Sequence, residues 1–220
     1  MNIIDKKTAF GVLLGTRGFF NPMLVKEQRE KILAKLEALN CEAVILDNDA
    51  TPNGAVESLA DARKYADHFS KNRDKIDGVI VILPNFGDEL GIVQTLDMAK
   101  LGVPVLVQAC NDDIDKVDVK HRRDAFCGKL SVCNNLYQYG IKFTDTSFHT
   151  CDIDSDVFTE DLERFARVCR TVKGLTNARI GAIGARPAPF QTTRFSEKLL
   201  QASGITIITV DLSEIIGEAQ

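Results

Sequence analysis

The sequence predicts an α/β fold of two doubly wound units with parallel sheets, the second of them incomplete. Short apolar runs closed by glycine or proline alternate with charged segments of helical period throughout the first half of the chain. The run GVIVIL at residues 78–83 has no polar alternation, which is typical of a strand covered by helices on both faces. The same alternation begins again after residue 120, with fewer strands.

The first unit is predicted to span residues 1–120. Asn21 before Pro22 has the pattern of a helix N-cap followed by proline in the first turn. Because crossovers between parallel strands are right-handed, the order of elements predicts a Rossmann- or flavodoxin-like sheet. The strands are predicted at Ala9–Leu14, Glu42–Leu46, Gly78–Leu83 and Val103–Ala109, and the helices at Met23–Leu39, Val56–Phe69 and Glu89–Leu101.

The second unit is predicted to span residues 121–220, after an acidic stretch at 111–120 that we interpret as an exposed loop between the units. Its first helix is predicted within Asp124–Phe143, a stretch rich in cysteine, asparagine and tyrosine around which the two units are organised. The apolar stripe of this helix is predicted to consist of Leu130, Cys133, Leu136, Tyr137 and Gly140.

The rest of the second unit is predicted as helix, strand, helix and strand, followed by the start of another helix. Asp211 and Glu214 have the spacing of a capping box, which predicts a helix after residue 210. Since an isolated helix needs about 12–15 residues, we expect this unit to be truncated and completed by further polypeptide. The four earlier elements are predicted at Asp161–Val172, Ala178–Ile183, Thr192–Ala202 and Ile205–Val210.

Composition and charge exclude several classes of protein. The net charge of -4 and the pI near 5.5 offer no broad attraction to nucleic acid or anionic membranes. We also find no apolar run of about 18 residues and no signal-peptide core, and we expect a cytoplasmic protein. The six cysteines form no C-x-x-C pair, and we interpret Cys127 and Cys133 as packed, unreactive thiols.

Two loops at the carboxyl ends of predicted strands contain the candidate binding residues. Arg17 lies in GTRGFFN after the first strand, where it could donate paired hydrogen bonds to hydroxyls or a carboxylate. Asn85 and Phe86 follow the third strand, and an amide beside an aromatic ring suits a sugar. We interpret Asp88 and Glu89 as residues of the next helical turn. The glycines form no dinucleotide or phosphate-binding motif.

Other polar groups give weaker signals. The loop Gly184–Arg194 contains long polar side chains that could contact a ligand. A crossover loop stiffened by its two prolines, without a binding role, explains this sequence equally well. His149 precedes Cys151, Asp152 and Asp154, the one grouping that resembles metal ligands, and acidic turn residues before a helix explain it more simply. No Ser/His/Asp or Cys/His triad has a supporting motif, so we assign no catalytic residue and no metal ligand.

Several of these stretches together resemble a known family. They are GVLLGTRGFFNP, DAFCGKLSVCNNLYQYGIKFT, FHTCDIDS and the run from DLERFARVC to ITIITVDLSE. They resemble the N-terminal half of the L-fucose/L-arabinose isomerase group, especially members described as isomerase-related. The resemblance covers almost the whole sequence.

The resemblance implies a sugar ketol isomerase, in which a divalent metal, usually manganese, holds the sugar while a base moves a proton between C1 and C2. In that family the metal ligands lie further along the chain, so we expect none here and no metal bound by this chain. In that family the first domain projects loops onto a neighbouring subunit's active site, and the resemblance implies a homo-oligomer of trimer or hexamer type. By motif match, the resemblance implies substrate contacts at Arg17, Asn85 and Phe86.

Two other classes of function remain open from the sequence. A small-sugar binding module with two α/β lobes would bind monosaccharides tightly, without metal, as a monomer. A non-catalytic oligomerisation scaffold would assemble without affinity for sugar. The sequence does not decide which sugar is handled.

Overall fold

The computed structural model describes residues 7–219 and divides into two compact units. The first unit extends to Arg170 and the second begins at Thr171. Among the described residues, no helix is both long and apolar enough to cross a membrane.

The first unit contains a five-stranded parallel sheet with the order β2-β1-β3-β4-β5. This confirms the predicted α/β class, and the order is that of the flavodoxin-like sheet. The central pair is held in register over its whole length, with Leu13 opposite Val81. The strands are β1 (Ala9–Leu14), β2 (Glu42–Val44), β3 (Gly78–Leu83), β4 (Val105–Ala109) and β5 (Thr144–Asp145).

Helices cover both faces of this sheet. On one face, α2, α3 and α4 share a core with Leu13 and Val81, whereas α1 and α5 pack on the other face with Phe10 and Ile80. All residues of β1 and β3 are buried, as expected for strands between two helical layers. The helices are α1 (Pro22–Ala38), α2 (Leu59–Lys71), α3 (Glu89–Ala99), α4 (Ala125–Gln138) and α5 (Asp156–Thr176).

Residues 121–170 lie in the first unit, whereas the predicted boundary placed them in the second. Val132 and Leu136 of α4 belong to the same core as α2 and α3, and β5 pairs with β4 at the edge of the sheet. Asp112 accepts hydrogen bonds from the backbone amides of Ala125 and Phe126, both at 2.9 Å. The acidic stretch therefore caps α4 within the first unit.

The predicted central helix is present as α4, and its predicted apolar stripe is buried only in part. Leu136 is buried and Cys133 packs against the core, whereas Leu130 and Tyr137 are 55% and 79% exposed. The helix buries Lys129 in place of Leu130. Its buried residues are Ala125, Gly128, Lys129, Val132 and Leu136.

The second unit contains two parallel strands, β6 (Arg179–Ile183) and β7 (Thr206–Val210), with helices α6 (Glu197–Ala202) and α7 (Leu212–Glu218). The predicted capping box of α7 is confirmed. The side chain of Asp211 accepts from the backbone amide of Glu214, and the side chain of Glu214 accepts from the backbone amide of Asp211. Helix α6 begins later than predicted because Ser196 is its N-cap and accepts from the amide of Leu199.

Candidate functional site

The two loops predicted to bind a ligand lie side by side at the carboxyl edge of the first sheet. Strand β1 lies between β2 and β3, so the order of strands reverses there. Open α/β sheets bind ligands at this switch point. The backbone joins the start of the first loop to β3, because the amide of Gly15 donates to the carbonyl of Ile82 at 3.0 Å.

Asn85 links the two loops and is fully buried. Its Nδ2 donates to Oγ1 of Thr16 at 2.7 Å, and its Oδ1 accepts from the amide of Gly87 at 3.1 Å. Both ends of the amide are thus paired within the chain. The geometry supports a positioning role for Asn85 rather than direct contact with a ligand.

Arg17 and Phe86, predicted as neighbours at the site, are in contact. The guanidinium of Arg17 lies over the ring of Phe86, 4.3 Å from its centroid. Its Nε donates to the carbonyl of Gly87 at 2.8 Å, and it forms an ion pair with Glu89. These contacts use part of the donor capacity of the guanidinium, which is about one third exposed and can donate further hydrogen bonds.

Glu89 is a site residue that sequence reasoning missed. It does lie in the first turn of α3, as interpreted, and Asp88 is the N-cap that accepts from the amide of Gly91 at 2.6 Å. The pairing with Arg17 spans 72 residues, so no local pattern predicts it. The available signal was a charged residue in the first helical turn after the second loop, because that loop ends at the same edge of the sheet as the loop of Arg17.

Helix α4 fixes the backbone of the second loop. A side chain on Gly128 would overlap the carbonyl group of Phe86, so only glycine fits at this helical position. Gly87, next in the loop, has a φ of +74°, a conformation that disfavours other residues. Phe86 is therefore held between a helix and a tight turn.

A second carboxylate lies beside the first loop. The carboxylate of Glu57 lies against the backbone of the first loop, since a Cβ on Gly18 would meet its Oε2 at 3.0 Å. Burial is the main cause that raises the pKa of Glu57; Asn53 opposes it, and Asp61 and Asp88 add to it.

The same edge of the sheet continues toward α1 and α4 as an open cleft of about 680 Å³. Arg123 lies in its wall, donates to the carbonyl of Pro84 at 2.8 Å and has a carboxylate of Glu27 at 3.9 Å. Its neighbour Arg122 lies near the ring of Phe19, with 5.8 Å between guanidinium and centroid.

The weaker sequence candidates lie elsewhere. Arg186 of the loop Gly184–Arg194 donates to carbonyls of its own loop. His149 is hydrogen-bonded to the carbonyl of Phe126 at 3.0 Å, and its ring lies 4.2 Å from the Phe126 ring, tilted by 52°. Within residues 7–219, no three His, Cys, Asp or Glu side chains are placed to hold a metal ion. The grouping of His149 with Cys151, Asp152 and Asp154 therefore does not form a metal site.

Comparisons with known proteins agree with the resemblance to fucose isomerases. Two sulfoquinovose isomerases, from Priestia aryabhattai and Priestia megaterium, are 27% identical over 203 residues, which cover 92% of the chain and 42% of each relative. The chain thus spans less than half the length of these curated relatives.

A solved periplasmic solute binding protein of an ABC transporter from Actinobacillus succinogenes, with bound D-allose, aligns at 12% identity over 93% of this chain and 59% of that protein. Its TM-score is 0.32. The profile of the fucose/sulfoquinovose isomerase N-terminal domain, in contrast, matches residues 11–176, from the first strand to the end of α5. On this match, the chain belongs to the fucose/sulfoquinovose isomerase family.

Proposed function

We propose that this chain is the N-terminal part of a sugar isomerase that interconverts an aldose and a ketose, and that it supplies loops that bind the monosaccharide. The observation that carries the proposal is the contact of Arg17 with Phe86 at the switch point of the sheet. Family membership supports the reaction class.

The chemistry of the two side chains suits a sugar. Arg17 has hydrogens left to donate to hydroxyl or carbonyl oxygens, and its position is fixed by Gly87 and Glu89. One face of the Phe86 ring is covered by Arg17, so the sugar meets the ring at its other face or edge. Asn85 holds the loops together behind them.

The reacting groups are proposed to come from other polypeptide. The resemblance places the metal ligands and the base after the N-terminal domains, and it implies that these loops reach the active site of a neighbouring subunit. We accordingly expect manganese to be held outside residues 7–219, and the functional assembly to be a homo-oligomer of trimer or hexamer type.

Saturation-transfer NMR on the 220-residue chain tests the binding role, with L-fucose and 6-deoxy-D-glucose as probes. We expect saturation transfer to at least one sugar without added metal. Arg17→Ala should weaken binding by about tenfold or more, because hydrogen bonds to a charged group are worth about 1.5–3 kcal/mol. Arg63→Ala, at an exposed position of α2, is the matched control and should leave binding unchanged.

Absence of transfer to every sugar, or an Arg17→Ala variant that binds like the parent, would contradict the proposal. Tight, metal-independent binding by a monomer that also lacks the family's oligomeric assembly would favour a sugar-binding module instead.

A further inference from the structure

The charge of the preferred sugar can be inferred from the groups around Arg17. Glu89 neutralises this arginine, and the two side chains are comparably shielded, at 33% and 27% exposed. An anionic group that bound the remaining N–H groups would lie close to the Glu89 carboxylate, and the two negative charges would repel each other. A hydroxyl group can bind the remaining N–H groups and leave the ion pair intact.

Further carboxylates make the surroundings negative. Glu57 lies against the loop at Gly18, and Asp88 is close enough to Glu57 to help raise its pKa. Asp61, which is buried, acts on Glu57 in the same direction. The first loop, with Arg17 as its one cation, thus has Glu89 paired to that arginine and Glu57 beside its backbone at Gly18.

Two further arginines near this edge also have a carboxylate within 4 Å. Nε of Arg122 lies 3.5 Å from a carboxylate oxygen of Asp124, and Arg123 lies 3.9 Å from Glu27. Each of the three arginines described here therefore has a carboxylate partner. A sulfonate would gain less from any of them than from an unpaired guanidinium.

We propose that these loops select an uncharged monosaccharide over a sulfonated one. The inference rests on the proposed function and specifies its substrate class. The family includes enzymes for both kinds of sugar, and the curated relatives that match this chain are sulfoquinovose isomerases. On this inference the chain differs from those relatives in the charge of the ligand.

A matched pair of sugars tests the inference. 6-Deoxy-D-glucose and sulfoquinovose share their configuration and differ only by the sulfonate, and L-fucose serves as a second uncharged probe. Their affinities are measured by NMR titration of the 220-residue chain at low ionic strength. We expect an uncharged sugar to bind at least about tenfold more tightly than sulfoquinovose, and added salt to narrow the difference.

Glu89→Gln should reduce the ratio of the affinities for the uncharged sugar and sulfoquinovose about tenfold, because it removes one negative charge beside Arg17. Glu42→Gln also removes one negative charge, at the start of β2 on the opposite edge of the sheet, and should leave this ratio unchanged. Equal or tighter binding of sulfoquinovose to the parent chain would overturn the inference and leave the proposed function standing. Binding of no sugar, or an Arg17→Ala variant that binds normally, would overturn both.

Discussion

At the scale of single residues, the site depends on a glycine outside the two binding loops. Gly128 touches the backbone of Phe86 so closely that any side chain would displace the loop or the helix. This contact couples the packing of α4 to the position of the aromatic ring.

Gly128→Ala should therefore destabilise the fold by about 1–3 kcal/mol through overpacking and should weaken sugar binding. Denaturant unfolding and the NMR titration measure the two effects. Gly174→Ala is the control, because a Cβ there meets nothing within 4 Å, and helix propensity predicts a gain of up to about 1 kcal/mol. A Gly128→Ala variant as stable and as active in binding as the parent would contradict the packing argument.

The cysteines differ in their expected reactivity. Burial raises the pKa of Cys110 and of Cys169 to about 12, so both stay protonated thiols at neutral pH. Cys127 is exposed, and its interpretation as a packed thiol was wrong because α4 turns that position outward.

Alkylation of the folded protein at pH 8, followed by mass spectrometry, should label Cys127 and leave Cys110 and Cys169 unmodified. Unfolding in denaturant should expose all three. Labelling of Cys110 in the folded chain as fast as Cys127 would contradict the assigned burial.

The sequence could identify Arg17 and Phe86 because strand ends can be recognised from apolar runs, and the ends of neighbouring parallel strands converge. It could not show that the amide of Asn85 is paired within the chain, or that Glu89 reaches back to Arg17. Both facts depend on contacts between residues about 70 positions apart.

At the scale of elements, local sequence signals predicted where helices end better than which of their faces is buried. Asn21 caps α1 as predicted, and its side chain accepts from the amide of Met23 at 3.0 Å. The face of α4 was misjudged because Lys129 is buried, where its Nζ donates to Oγ1 of Thr146 at 2.7 Å. A buried lysine within an apolar stripe cannot be recognised without its partners. Strand β5 was missed because it has only two residues.

Asp112 is expected to stabilise α4 by capping it from outside the helix. Its two oxygens accept from Ala125 and Phe126, whereas Asp124, the residue before the helix, makes no side-chain cap. Asp112→Ala should cost about 1 kcal/mol of stability, measured by denaturant unfolding. Asp115→Ala removes a carboxylate from the same exposed stretch and should have little effect. Equal losses in both variants would contradict the capping role.

At the scale of the whole molecule, the five-stranded sheet of the first unit has helices on both faces and presents the two proposed binding loops at a single edge. The doubly wound class could be predicted because an apolar run without polar alternation indicates a strand covered by helices on both faces. The division into units could not be read from composition, because the acidic stretch that looked like a linker caps a helix of the first unit. The family match extends from β1 to the end of α5.

The central claim is that this chain binds the sugar and leaves proton transfer to groups outside it. NMR of L-fucose or 6-deoxy-D-glucose with the 220-residue chain measures binding without metal, and mass spectrometry after incubation in D₂O with the chain and manganese measures proton transfer. The account predicts saturation transfer to the sugar with no deuterium entering at C2 and no ketose. Deuterium at C2, or ketose formed by this chain alone, would contradict it.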